Sequence, residues 1–291
     1  MRRIPNPLSG RERIWNMKKF IQYGPPKWFV RWSVKLSWPL MIIAKRLSDI
    51  PPFRWIINPF FRYPQNELTA VPIDVRLNPP DSVALPFQVV CALLERASDI
   101  FILDECICRA KEGCINHPVD IGCIALGKAT RRMHPSHGRF VTADEAVRHV
   151  ARAGEAGLVA SIAHVWIDPM AFHTVPFNRL MFICLCDDCC CLYRTHMTRR
   201  GPNLNKAYKK LPGVSIRVDT ELCTGCGICT EICFAAEMRI EDGVALVGDD
   251  CKGCARCVTA CPEGAITLIT EDLDTMVTNL MNRIDRVADI G

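Results

Sequence analysis

The 291-residue sequence lacks an apolar run of membrane-spanning length. Its longest uncharged stretch around the tryptophan-rich start, Leu36 to Ala44, is far short of the roughly 20 residues a transmembrane helix needs. It also lacks a phosphate-binding loop, a dinucleotide fingerprint and an HExxH pair. Nucleotide cofactors are therefore unsupported, and any electrons must come from a protein partner or a small redox molecule. No apolar h-region or small-residue cleavage site follows Met1-Arg2-Arg3, so the chain is expected to be cytoplasmic. Charge is not scarce: charged residues make up 23% and apolar residues 49%, close to the globular average, which excludes wholesale disorder. The length suits one large domain or two to three small ones.

Cysteine is missing from positions 1–63, yet the whole chain holds 18. A disulfide scaffold of that density belongs to short secreted chains, whereas reduced cysteine at this density points to metal. The same first segment holds 13 Lys/Arg against Glu12 and Asp49, a net of +11. The remainder, with 23 basic and 29 acidic residues, carries −6, and the two sum to the +5 of the whole chain. Trp15, Trp28, Trp32, Trp38 and Trp55 also lie there, five of the six tryptophans. Two kinds of polypeptide are joined.

The spacing predicts a helix over Pro26–Leu47, with Trp32, Leu36, Leu40, Ile43 and Leu47 on one face, Lys45 and Arg46 at its C-terminal end, and a kink at Pro39. A competing signal is the alternation of Val30, Trp32, Val34, Leu36 and Trp38, which suits a strand. Tryptophans among cations suit a peripheral membrane surface on the inner face of the membrane, an acidic partner subunit or the chain's own acidic body. A nucleic-acid groove fits less well. Residues 51–86 are proline-rich and read as an extended segment over a surface. A helix is expected near Phe87–Ala97, then an apolar run Ile100–Leu103 ahead of Cys106. Thr142 and Glu145 form a capping box that starts another helix, ending near Gly154 or Gly157. Leu180–Ile183 reads as a buried strand delivering cysteines. The last stretch, 271–291, reads as an amphipathic helix with Leu273, Met276, Leu280, Ile284 and Val287.

One motif is strong. Cys223-x-x-Cys226-x-x-Cys229-x-x-x-Cys233 recurs, at one constant offset, as Cys251-x-x-Cys254-x-x-Cys257-x-x-x-Cys261-Pro262. A cubane needs four thiolates from different directions. A tight loop supplies three at two-residue intervals, and the fourth comes from elsewhere. The alternative is structural zinc on CxxC pairs, but zinc sites use pairs rather than duplicated triplets with a fourth cysteine at fixed offset. These residues resemble the bacterial two-[4Fe–4S] ferredoxin family. The resemblance implies one cluster on Cys223, Cys226, Cys229 and Cys261 and a second on Cys251, Cys254, Cys257 and Cys233. The family usually has proline after each fourth cysteine, whereas here Phe234 follows Cys233.

The middle of the chain carries Cys106-x-Cys108-x5-Cys114-x8-Cys123 and Cys184-x-Cys186-x-x-Cys189-Cys190-Cys191, with Cys91 apart. Neither spacing matches a zinc finger, the thioredoxin pattern or the radical-SAM triplet. The block CICR…DIGCIALG…GRFVTADEA…GLV…ICLCDDCCC resembles the cysteine-rich module of anaerobic iron–sulfur proteins with a C-terminal dicluster domain. An extended C-x-C points both thiols the same way and can anchor adjacent irons. Three successive cysteines cannot all reach one cubane, so one of Cys189, Cys190 and Cys191 is expected to be buried or to serve another centre. One or two more iron–sulfur clusters are expected here; structural zinc, redox dithiols or merely buried thiols are the alternatives. Arg109 is expected either to donate to a cluster or to pair with Glu112.

The expected architecture is α+β. A basic Trp/Pro-rich arm and extended segment (1–81) leads to a mixed α/β cysteine-rich module (82–213). A ferredoxin-like domain with a pseudo-two-fold repeat (214–270) and a C-terminal helix (271–291) follow. The expected function is electron transfer by low-potential clusters to or within an oxidoreductase system, with a redox protein as partner. The alternative is a reductase with a catalytic cluster in the middle module fed by the ferredoxin domain, with His117, His164 or Asp168 as proton donors. A zinc-bearing adaptor is a third reading.

Overall fold

The computed structural model describes residues 22–48, 50–57, 66–73, 80–196 and 206–291, and the readings that concern Trp15 and the rest of residues 1–21 lie outside them. Helix α1 (Lys27–Leu47) settles the competition between periods at the start of the chain: Val30, Val34 and Trp38, four positions apart, face inward on one helical stripe. The stripe of Trp32, Leu36, Leu40 and Ile43 forms the outer face. Trp32 is 59% exposed, Leu36 64% and Leu40 66%, with Ile43 exposed beside them. The helix is apolar on two sides, and the inner side is chosen because Val30, Val34 and Trp38 meet Leu192, Ile107 and Cys108. Glu105 fixes its angle, accepting from Arg31 Nε at 2.6 Å with Lys27 Nζ 3.4 Å away. A short helix, α2 (Phe53–Ile57), also exposes Phe53, Trp55 and Ile56.

The proline-rich stretch read as a surface wrap contributes a buried strand, β1 (Glu67–Val71), and the start of α3 (Pro80–Arg96). There follow β2 (Ile100–Leu103), α4 (Ile107–Glu112), β3 (Ile124–Leu126), β4 (Gly138–Phe140), α5 (Ala143–Glu155) and β5 (Val159–His164). Next come α6 (Ile167–Phe172), β6 (Met181–Cys186), α7 (Leu192–His196) and β7 (Tyr208–Lys210). The strands form one seven-stranded sheet, β4-β2-β3-β6-β5-β1-β7, antiparallel except for the β1–β7 pair. The Thr142 capping box starts α5 as the sequence indicates, with both reciprocal bonds made.

The sheet's two faces differ in chemistry, and alternation along each strand decides which residue goes where. On β6, Met181, Ile183 and Leu185 face α3, α5 and the C-terminal helix. Phe182, Cys184 and Cys186 face the opposite side, with Phe101, Leu103 and Phe172. Leu93 and Leu94 of α3 are fully buried on the side away from the clustered cysteines, where truncation to alanine costs about 2–5 kcal/mol.

Beyond residue 213 lie β8 (Val214–Val218), α8 (Ile228–Glu231), β9 (Met238–Glu241), β10 (Val244–Val247), α9 (Arg256–Ala260) and β11 (Ile266–Thr270). β8 pairs with β11, and β9 with β10 through an Asp242–Gly243 turn whose residues both have positive φ, as a tight two-residue hairpin requires. The last helix, α10 (Leu273–Ile284), capped by Asp272, ends before Val287. It lays Met276, Leu280 and Ile284 into the same core as Leu93, Leu94 and Leu126. The chain is thus mixed α/β. No helix among the described residues is long and apolar enough to cross a membrane.

Candidate metal centres

The eight cysteines beyond residue 213 fall into two groups that exchange their fourth members. Cys223, Cys226, Cys229 and Cys261 line one enclosed cavity with Ile240, Ala265 and Ile266. Cys257 is pushed up in pKa by burial and then by the charges of Cys254, Cys251 and Cys233. The loops that present them repeat their backbone at matching positions of the two halves. Gly225 and Gly253 have φ of 66° and 63°, while Gly227 and Ala255 have φ of 82° and 60°. At Gly225 the constraint is double, because a Cβ there would stand 2.4 Å from the Gly243 carbonyl oxygen. Backbone N–H groups already reach two sulfurs, Ala245 to Cys223 Sγ at 3.4 Å and Glu237 to Cys233 Sγ at 3.3 Å. Eight thiols with amide donors around them fit the chemistry of iron–sulfur ligation.

The nine cysteines of the middle module divide six and three. Six are electrostatic neighbours in sequence around a loop: Cys106 acts on Cys108 and Cys123, Cys108 on Cys191, Cys191 on Cys186, Cys186 on Cys184, and Cys184 on Cys123. The ring is closed. It draws on three places: the start of α4, the loop before β3, and β6 with the turn after it. Cys106 and Cys108 are not an extended C-x-C pair, since Cys106 caps α4 and Cys108 lies in its first turn. Cys184 and Cys186 are extended and share a face, as strand alternation dictates. Within the ring no three sulfurs lie within 4.8 Å of one another. A tetrahedral ion with metal–sulfur bonds near 2.3 Å holds its ligands about 3.8 Å apart, so the ring's openness suits a polynuclear centre. Helix α1 covers it through Trp38, and Lys45 donates to the Leu192 carbonyl at 3.2 Å from a fully buried position. The remaining three, Cys114, Cys189 and Cys190, form a separate and tighter group. Cys91 stands apart on α3, its thiol pushed up by burial.

Arg109 neither pairs with Glu112 nor points at a sulfur. Fully buried, it donates to the carbonyls of Pro118 and Leu185 at 2.8 Å and Ile121 at 2.5 Å, and to Asp187 Oδ2 at 3.2 Å. Those carbonyls precede Cys123 and border Cys186, so one guanidinium fixes all three places that build the ring. Asp187 Oδ1 in turn accepts the N–H groups of Cys189 at 3.0 Å, Cys190, and Cys191 at 3.2 Å, which folds the turn so that successive cysteines diverge.

A second buried arginine, Arg194, joins the two cysteine regions. Burial opposes its charge, while the charges of Tyr208, Cys254, Asp188 and Cys186 favour it. It lies 3.8 Å from the centroid of the Phe234 ring, and Phe234 meets Tyr208 edge-on at 5.5 Å. The residue that departs from the ferredoxin pattern is thus a docking contact. Asp188 bridges Arg194 at 2.6 Å and Arg256 at 2.8 Å, one from each region.

Of the histidines and acids considered as proton donors, His164 is a core residue. It is stacked on Phe177 at 4.0 Å and bonded through Nδ1 to the Leu180 carbonyl at 3.0 Å. His117 lines an open cleft rather than the ring. Asp168 accepts from Tyr193 at 3.0 Å, and burial raises its carboxyl to about 7. Burial also lowers Lys45, to about 8. Sequence reasoning missed Lys45, Asp187, Tyr193 and Arg194. Only Asp187 carried a signal, as the polar residue where a buried strand must turn.

Residues 216–235 and 246–267 match the 4Fe-4S binding domain family. Over 58 residues the chain is 38% identical to a protein described as ferredoxin from Thermococcus litoralis, covering 98% of that protein and 19% of this chain. No solved structure matches the chain.

Proposed function

From the premise that the chain belongs, through its C-terminal domain, to the 4Fe-4S ferredoxins, we propose that it carries electrons through three iron–sulfur centres. One [4Fe–4S] cluster is held by Cys223, Cys226, Cys229 and Cys261, and a second by Cys251, Cys254, Cys257 and Cys233, the two halves of a pseudo-two-fold domain. A third, polynuclear centre is held by Cys106, Cys108, Cys123, Cys184, Cys186 and Cys191. When bound, the clusters supply reversible one-electron chemistry. The chain's own residues ligate, exclude water and tune: Arg109 fixes the ring's geometry, α1 shields it, and Arg194 places a cation between Cys254 and Cys186. That last placement is the observation that carries the reading: the buried Arg194 stacks on Phe234 and pairs with Asp188, which also holds Arg256, so it joins the ferredoxin domain to the ring. The partner is a redox protein of an oxidoreductase system. Iron and acid-labile sulfide on anaerobically purified protein test it: more than the about eight irons of two cubanes are expected, and eight or fewer would leave the ring without a cluster.

One observation favours a reductase as the second reading. A largely apolar cavity of about 670 Å³ borders Cys108, Cys123 and Cys184, with Lys45, Asp168 and Tyr193 in its wall. A small apolar substrate there would meet a reducing centre on one side and hydrogen-bonding groups on the other. Turnover of the reduced protein with apolar acceptors, abolished by filling the cavity with Ala171→Trp but retaining the iron content, is the expected result under this reading.

The outer face of α1 and α2 serves as a peripheral contact with anionic lipid. Trp28, Trp32, Leu36, Leu40, Trp55 and Ile56 are exposed on a segment of net charge +11, with Lys35 and Arg46 exposed among them, the composition of an interfacial helix. Co-sedimentation with anionic vesicles, weak with zwitterionic ones and lost in Trp32→Glu/Leu36→Glu, is expected.

A further inference from the structure

Cys114 follows the left-handed Gly113 that ends α4, and Cys189 and Cys190 occupy the turn folded by Asp187. The two segments meet although they are far apart in sequence. Cys114 Sγ lies 3.7 Å from Cys189 Sγ, which is 3.3 Å from Cys190 Sγ, and all three sulfurs fall within 4.8 Å of one another. These separations are those of one tetrahedral ion, whose ligand sulfurs lie about 3.8 Å apart, and they are too short for the corners of a cubane.

The set is also incomplete. Among the described residues no fourth histidine, cysteine, aspartate or glutamate lies within 4.8 Å of all three sulfurs; Asp187 Oδ1, 3.3 Å from Cys189 Sγ, accepts from it and already holds the N–H groups of the turn. Cys189 is exposed and lines a cleft of about 910 Å³ together with Asn116, His117, Arg194 and Cys233. Three protein ligands and a position turned toward an open cleft distinguish a reactive zinc site from a closed structural one.

We propose that Cys114, Cys189 and Cys190 bind a single zinc ion whose fourth position is open to an exchangeable donor from the cleft, water or a small thiol. The site does not depend on the cluster assignment, because zinc and iron are counted separately. Its position does give it a purpose beside that reading: Cys233, assigned to the second cubane, borders the same cleft, so a molecule held on the zinc shares a cleft with an electron-carrying centre.

The test is zinc K-edge absorption on the anaerobic holoprotein, with zinc and iron counted in parallel. One zinc per chain is expected, with three sulfurs at about 2.3 Å and one lighter atom at about 2.0 Å. Adding 2-mercaptoethanol should replace the lighter atom with a fourth sulfur. Cys190→Ser, or Cys114→Ser if the first fails to fold, should lose the zinc and keep the iron, while Cys91→Ser keeps both. Absence of zinc from protein with its full iron, four sulfurs before any thiol is added, a fourth ligand that the thiol does not displace, or loss of iron in place of zinc in Cys190→Ser would each overturn the proposal.

Discussion

The two cysteine-rich regions place their thiols by opposite means. Beyond residue 213, eight thiols come from the single short stretch 223–261, and each loop is shaped by its own positive-φ positions at Gly225, Gly227, Gly253 and Ala255. In the middle module, six thiols come from segments as distant in sequence as Cys106 and Cys191. They converge only because a seven-stranded sheet and a buried arginine hold those segments together. A locally built centre should survive damage elsewhere in the molecule. A globally built one should fail when the framework fails.

The largest expected effect follows from that difference. Arg109→Leu takes the cation from buried Asp187, which keeps only its backbone donors, and removes one donor from each of three carbonyls; breaking a buried ion pair costs about 3–5 kcal/mol. Iron content should fall to that of the ferredoxin domain, because the ring loses its shape while the C-terminal loops keep theirs. The converse substitution, Cys254→Ser, should remove the second ferredoxin cluster and leave the ring's iron unchanged. Iron analysis on both variants checks the pair.

That contrast also explains what could be read before the structure. The ferredoxin domain was legible because its geometry is local: spacing of two and three residues translates into thiols around one point. The strand at Leu180–Ile183, the Thr142 cap and the helix at Pro26–Leu47 were legible for the same reason. The six-and-three division was not, since nothing in the spacing of Cys106, Cys108 and Cys114 says that the first two meet Cys191 and the third meets Cys190. Which face of α1 is buried was not legible, because period alone cannot choose between two apolar stripes, and Leu192, which decides it, lies far along the chain from Trp38. Phe234 looked like a lapse from the family pattern until Tyr208 and Arg194 were found against it.

A middle-sized effect sharpens the comparison at the interface. Arg194→Met removes a buried cation beside Cys254 and Cys186 while Asp188 keeps Arg256. Losing positive charge disfavours the more negative, reduced state. Potentials of both the second ferredoxin cluster and the ring centre should therefore move negative, whereas the cluster on Cys223, Cys226, Cys229 and Cys261 should move least. Redox titration followed by electron paramagnetic resonance reads all three.

The smallest expected effect on the metal centres is a pH dependence of stability confined to the middle module. Asp168, raised by burial to about 7 from its ordinary 3.8, binds its proton more tightly when folded than when unfolded. The folded state is therefore favoured below pH 4 and loses that advantage as pH rises through 7, by an amount on the order of 4 kcal/mol at most. Asp168→Asn keeps an acceptor for Tyr193 and should flatten the fall in Tm between pH 5 and pH 8; an unchanged slope would show that Asp168 is not the group responsible.

The most direct single measurement is iron and acid-labile sulfide per chain in the anaerobic wild-type protein and in Cys184→Ser/Cys186→Ser. Wild-type iron clearly above eight, dropping to about eight in the variant, is the expected result. The same iron content in both proteins would contradict a third centre on the ring and leave the electron path at the ferredoxin domain.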